Sequence, residues 1–224
     1  MTKKILSLLL VVAMLATLSV GMFTASAADA AAGTAFADDW SKWTINGSHN
    51  NQPDYGITDE GYKVLYNFAG YTGMTASFIY GDKQNLGDRF DFEFKVTSRG
   101  SWGGAESLSF VAQIGNLNVT LYSKGADYYA KADYNGKALF DSEKKFDCSV
   151  DADLKTKIKD ALKAVNATNY DWYCQRVVDV KLSFDGGILI VSDAKTNTEY
   201  ARCVVENYDF SNATVALTSV GANQ

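Results

Sequence analysis

The segment RVVDVKLSFDGGILIVSD, residues 176–193, decides the fold of this chain. Apolar residues occupy every second position of 178–184, as they do in a β-strand that buries one face. Residues 185–187, Asp-Gly-Gly, tolerate positive φ, and the apolar run 188–191 predicts a return strand. The segment therefore predicts a hairpin in an antiparallel sheet.

The same period of two recurs along the chain. Residues 89–97 alternate strictly, with Phe or Val on one face and polar side chains on the other. Asn135-Gly136 is a strong hairpin signal. One segment differs, because residues 151–165 place their apolar side chains at helical spacing. We therefore predict an all-β fold, a two-sheet antiparallel jelly-roll sandwich with one peripheral amphipathic helix.

The first 35 residues differ in composition from the rest. Residues 1–27 combine two lysines, an apolar run and a small-x-small motif, which is typical of a secretory signal peptide. Residues 28–35 are small and polar, and we expect a disordered lead-in. Residues 36–224 then form one β-sandwich domain. No second apolar run is long enough to span a membrane. These features predict a secreted protein, extracellular or at the cell surface, without membrane insertion.

Charge limits the classes of partner. The chain has 21 basic and 26 acidic side chains. Loss of the signal peptide with its two lysines leaves a formal charge of −7. Nucleic acids and anionic membranes select basic surfaces, and the chain has no cluster of Lys and Arg. Both are therefore excluded as partners.

The three cysteines allow two interpretations. Export permits disulfides, and Cys148 and Cys174 flank the predicted helix, so these two are candidates for a disulfide. Closing that loop would stabilise the fold by about 3 kcal/mol. In the alternative, all three thiols are reduced, and Cys203 is a small buried apolar residue on a strand.

Three segments resemble the concanavalin A-like lectin/glucanase superfamily. Residues 36–43 (FADDWSKW) are similar to its opening strand, residues 172–191 to the "dgg" hairpin of its laminin-G-like members, and residues 210–217 to its last core strand. The resemblance extends from one end of the predicted domain to the other. It implies the jelly-roll fold, and either carbohydrate binding or carbohydrate cleavage.

The acidic motif of the enzymes is missing. Family 16 glycoside hydrolases resemble one another in a strand with Glu-x-Asp-x-x-Glu, whose alternate carboxylates reach one cleft. Here Asp91 and Glu93 share a strand face without a third acid, and we interpret them as a solvent face balanced by Arg89 and Lys95. Glu106 has no partner carboxylate nearby in the sequence. We assign no catalytic residue.

Cofactor chemistry has no support either. His49 is the single histidine, so a multi-histidine metal site is excluded. The resemblance implies that calcium is common among relatives, but Asp151 and Asp153 form only a pair, which helix capping explains. No glycine-rich phosphate loop precedes a helix. We therefore predict no metal and no cofactor, with structural calcium left open and supported by no motif.

Aromatic and amide side chains in turns indicate the ligand. A sugar offers apolar C–H faces and a rim of hydroxyls, so it is bound by exposed rings beside amides. Trp102 lies in a glycine-rich loop, and Tyr128, Tyr134 and Asn135 lie on one hairpin. We predict a non-catalytic, lectin-like module that binds a polysaccharide or glycan through these four residues. Two alternatives stay open: a glycoside hydrolase or lyase with a divergent acid pair, and an adhesive domain that binds other cell-surface proteins.

Overall fold

The chain folds into β-structure. The computed structural model describes residues 42–47, 54–57, 63–66, 75–98, 108–124, 127–148, 153, 156 and 176–221. Their strands are β1 (Trp43–Gly47), β2 (Asp54–Ile57), β3 (Lys63–Tyr66), β4 (Thr75–Tyr80), β5 (Arg89–Ser98), β6 (Leu108–Ile114), β7 (Leu117–Lys124), β8 (Asp127–Tyr134), β9 (Lys137–Asp141), β10 (Arg176–Asp185), β11 (Ile188–Asp193), β12 (Glu199–Val204) and β13 (Val215–Gly221). The predicted signal peptide and lead-in lie outside the described residues.

Most strands belong to two antiparallel sheets. The larger sheet has seven strands in the order β1-β4-β13-β6-β7-β8-β9, and the smaller has four in the order β12-β11-β10-β5. Strands β2 and β3 pair separately. The last strand, β13, therefore inserts between β4 and β6, which are distant from it in sequence. The predicted all-β sandwich of two antiparallel sheets is confirmed.

The predicted hairpin over 176–193 forms β10 and β11, in the middle of the four-stranded sheet. Its register runs from Val180 opposite Asp193 to Asp185 opposite Ile188. Gly186 and Gly187 turn the chain at φ of 55° and 91°, values that an L side chain rarely adopts. A Cβ at Gly187 would also lie 3.2 Å from the ring of Tyr208. Gly187 is therefore favoured both by its backbone conformation and by the lack of space for a side chain.

One apolar core fills the space between the sheets. The seven-stranded sheet contributes Leu117, Val119, Leu121, Ala130 and Ala132, and the four-stranded sheet contributes Val178, Val180, Leu182, Leu189 and Val191. Full burial of each larger aliphatic side chain stabilises the fold by about 1.5–3 kcal/mol. At one end of the core, the ring centre of Phe210 lies 5.0 Å from that of Phe184 and 6.0 Å from that of Tyr134. Phe210 therefore packs against side chains of both sheets.

The predicted helix over 151–165 is represented in the described part of the chain by Asp153 and Thr156, and both are helical. Its other residues lie outside that part. Among the described residues, no helix is both long and apolar enough to cross a membrane.

Candidate functional site

The outer face of the four-stranded sheet, opposite the core, is highly charged. Neighbouring strands place acids and bases side by side there. Its ion pairs are Arg89 with Asp185, Lys181 with Asp91 and Glu93, and Asp179 with Lys95 and Lys195. This is the composition of a sheet face that is solvated or covered by polar groups.

Asp91 and Glu93 share one basic partner. The Nζ atom of Lys181 lies 3.3 Å from Oδ2 of Asp91 and 3.4 Å from Oε1 of Glu93. Burial alone lowers the pKa of Lys181, but the two carboxylates outweigh it and the pKa is raised. The expectation that Arg89 and Lys95 balance the two acids is therefore wrong, because those bases pair with acids on the adjacent strand β10. Glu106 lies outside the described residues.

The outer face of the seven-stranded sheet has a different composition. Strands β1, β4, β13 and β6 contain no Asp, Glu, Lys or Arg. The register aligns one outward side chain per strand across the whole sheet. We call this line the transverse row; in strand order it consists of Asn46, Ser77, Thr218, Val111, Thr120, Lys131 and Asp141.

Hydroxyl groups dominate the middle of the transverse row. The hydroxyls of Ser77 and Thr218 are hydrogen-bonded to each other at 2.8 Å. Beside the row, Asn118 donates from Nδ2 to Oδ1 of Asp133 at 3.0 Å. Because most of these groups are half-buried hydroxyls and amides, with Asp133 the one carboxylate among them, they are suited to a ligand that itself has many hydroxyls.

Four side chains on β7, β8 and β9 form a compact group, the Tyr122 cluster: Tyr122, Tyr129, Lys131 and Asp141. The rings of Tyr122 and Tyr129 stack with centroids 5.9 Å apart and planes at 26°. Nζ of Lys131 lies 5.5 Å from the centre of the Tyr122 ring. The Tyr122 hydroxyl donates to Oδ1 of Asp141 at 2.6 Å. One aromatic side chain is thus held by three polar or aromatic neighbours.

The hydrogen bond changes the acidity of Tyr122. It keeps the proton on the phenol next to a carboxylate, and with partial burial and the negative charge of Asp141 it raises the pKa of Tyr122 to about 12. Tyr122 is therefore a neutral hydrogen-bond donor at every physiological pH.

Tyr128 and Tyr134 face the core. They are 1% and 6% exposed and belong to the buried cluster between the sheets. Tyr134 also accepts a 2.9 Å hydrogen bond at its hydroxyl from the backbone N–H of Asp209. Their assignment to a sugar site is therefore corrected, because neither ring presents a face at the surface.

The other predicted site residue in the described part of the chain is Asn135. It is exposed in the β8–β9 turn, at a φ of 52°, which asparagine tolerates better than most residues. Trp102 lies outside the described residues, as do His49 and Cys174.

Cys148 is exposed and donates its thiol to the carbonyl of Phe146 at 3.8 Å. Its pairing with Cys174 stays a prediction.

Tyr122 and Tyr129 were not among the predicted site residues, although the sequence contains one signal for Tyr129. In β8 the residues Tyr128, Ala130, Ala132 and Tyr134 alternate with Asp127, Tyr129, Lys131 and Asp133. The second set contains all three charged residues, which places Tyr129 on the solvent side. The contact with Tyr122 depends on the β7–β8 register and is not visible in the sequence alone.

No group of three or more His, Cys, Asp or Glu side chains within the described ranges is arranged to hold a metal ion.

No family model and no curated protein matches this sequence. Several solved structures are similar to it. The carbohydrate recognition domain of Emp47p is 12% identical with a TM-score of 0.43, covering 81% of each chain. The legume lectin-like domain from Entamoeba histolytica is 10% identical with a TM-score of 0.44, covering 82% of this chain and 84% of that one. The lectin from Bauhinia forficata, in complex with GalNAc, is 12% identical with a TM-score of 0.45, covering 83% of this chain and 88% of that one. The fold is assigned from the sheet order and register given above, which are those of an antiparallel sandwich of a seven-stranded and a four-stranded sheet.

Proposed function

We propose that the protein is a secreted, non-catalytic module that binds an uncharged carbohydrate on the outer face of its seven-stranded sheet. The observation that carries the proposal is the contrast between the two outer faces. The outer face of the four-stranded sheet is covered with ion pairs. The outer face of the seven-stranded sheet has four strands without a charged residue, and the stacked pair Tyr122 and Tyr129 lies next to them.

The side chains in the middle of the transverse row have a chemistry that matches that of a sugar. Ser77, Thr218 and Thr120 offer hydroxyls, and Val111 offers an apolar surface between them. A pyranose ring likewise alternates apolar C–H patches with hydroxyls. Tyr129 adds an aromatic surface of the kind that stacks on C–H faces. No other ring in the described ranges stacks on Tyr129 besides Tyr122.

A panel of polysaccharides in affinity gels tests the proposal. The purified protein should be retarded by at least one neutral glycan and should release no reducing sugar from it. Replacing Tyr129 with alanine should abolish the retardation, whereas the core variant Tyr128→Phe should keep it. Release of sugar would instead support a hydrolase or lyase, and failure to bind any glycan would support the protein-binding alternative.

A further inference from the structure

We infer that the ligand is an internal stretch of an extended, uncharged glycan chain that lies across the strands of the seven-stranded sheet. The inference rests on the proposed function and adds the substrate class. Its basis is the length, shape and charge of the transverse row.

The transverse row is long. Seven strands spaced about 4.8 Å apart give it a length of about 29 Å along the sheet. A single sugar ring would contact only two or three neighbouring strands over such a distance. An extended chain would contact all of them, and each ring would meet a new set of side chains.

The shape of the row favours a chain that continues at both ends. Its four middle members, Ser77, Thr218, Val111 and Thr120, are small and half-buried. Its end members, Asn46 on β1 and Asp141 on β9, are exposed. A site for a chain end or a monosaccharide needs a wall that stops the ligand. In the described part of the sheet, the row ends at each edge in an exposed side chain, so neither end member closes it.

The charge of the row favours an uncharged chain. Its only charged members, Lys131 and Asp141, are opposite in sign and lie directly across from each other in the register. A uronate or sulfate chain would find no net positive charge along the row, and it would meet Asp133 beside it.

Calorimetry with a length series of oligosaccharides, cut from a polysaccharide that the protein retains, tests the inference. Affinity should rise by about tenfold or more from disaccharide to hexasaccharide. Chemical reduction of the chain end should leave hexasaccharide affinity unchanged. Three results would overturn the inference but not the proposed function: equal affinity for mono- and hexasaccharides, loss of binding after reduction of the chain end, or preference for an anionic chain. Absence of binding to every glycan would overturn the proposed function as well.

Two variants at opposite sides of the sheet make the test sharper. Asn46→Ala removes an amide on β1, and Tyr129→Ala removes a ring on β8, five strands away along the sheet. Hexasaccharide affinity should fall in both variants, while that of a disaccharide should fall in at most one. Ser183→Ala, on the outer face of the other sheet, is the control and should bind as the wild type does. Sensitivity of the hexasaccharide to only one of the two variants would mean that the chain does not cross the sheet.

Discussion

The hydroxyl of Tyr122 on β7 donates a 2.6 Å hydrogen bond to Asp141 on β9, so the tyrosine side chain reaches across the intervening strand β8. On the way its ring stacks on Tyr129 and lies beside the amine of Lys131. This contact fixes the orientation of the aromatic pair on the proposed binding face. We therefore assign Tyr122 and Asp141 a positioning role, and Tyr129 the contact with sugar.

Removing the acceptor should change the titration of Tyr122. The raised pKa of about 12 depends first on the hydrogen bond to Asp141. The bond stabilises the fold below the ordinary tyrosine pKa of about 10, and this contribution is lost as pH rises through the folded value. In Asp141→Ala the Tyr122 pKa should fall toward 10, as measured by NMR of ring-labelled tyrosine. Asp127→Ala, an acid on the same face that pairs with Lys145, is the control and should leave it unchanged. An unchanged value in Asp141→Ala would refute the contact.

The buried carboxylate of Asp179 should matter for stability. It is 4% exposed and forms ion pairs with Lys95 and, at 2.9 Å, with Lys195. Burial alone raises the pKa of Asp179, but hydrogen bonds and charge from the two lysines outweigh it and the pKa is lowered. Its contribution is therefore present above the ordinary aspartate pKa and is lost as pH falls through the lowered folded value.

Asp179→Ala should lower the free energy of unfolding by about 2 kcal/mol at neutral pH, because it removes a buried carboxylate that pairs with the half-buried Lys95 and the exposed Lys195. Urea denaturation measures the change. Asp185→Ala is the matched control, because its pair with Arg89 is exposed and such pairs contribute less than about 1 kcal/mol. Equal effects of the two substitutions would contradict the description of Asp179 as a buried ion pair.

Cys203 on β12 should react slowly in the folded protein. Burial raises the pKa of its thiol from 9.0 to about 11, so the reactive thiolate is about a hundredfold rarer. Alkylation at pH 8 followed by peptide mapping should show Cys203 labelled in denaturant and protected in buffer. Rapid labelling of the native protein would place this thiol at the surface instead.

The same digest without reductant tests the predicted Cys148–Cys174 disulfide, which would appear as a linked pair of peptides.

Local patterns were sufficient to predict the architecture. The alternation of residues 178–184 and the turn at Gly186 and Gly187 depend only on neighbours in sequence, and both are present as expected. The partner strands could not be predicted in this way. The insertion of β13 between β4 and β6 brings Thr218 beside Ser77, a contact between residues 141 positions apart.

The binding face was harder to predict for a related reason. The β8–β9 hairpin carries tyrosines on both faces, and the prediction of Tyr128 and Tyr134 as site residues is wrong because aromatic residues suit either a core or a sugar site. The charged residues of β8 indicate its solvent face, but only the register with β7 shows that Tyr129 stacks on Tyr122. That the four strands without a charged residue lie side by side likewise becomes evident only once the strand order is known.

The most direct test of the central claim places a charge on each outer face in turn. Thr218→Lys puts an ammonium group in the middle of the transverse row, and Ser183→Lys puts one at a half-buried position on the other sheet. Retardation of both variants in a gel containing the retained neutral glycan should be compared with that of the wild type, after melting temperatures confirm that they fold. We expect Thr218→Lys to lose retardation and Ser183→Lys to keep it. Retention by Thr218→Lys, or loss in Ser183→Lys alone, would contradict carbohydrate binding on the seven-stranded sheet.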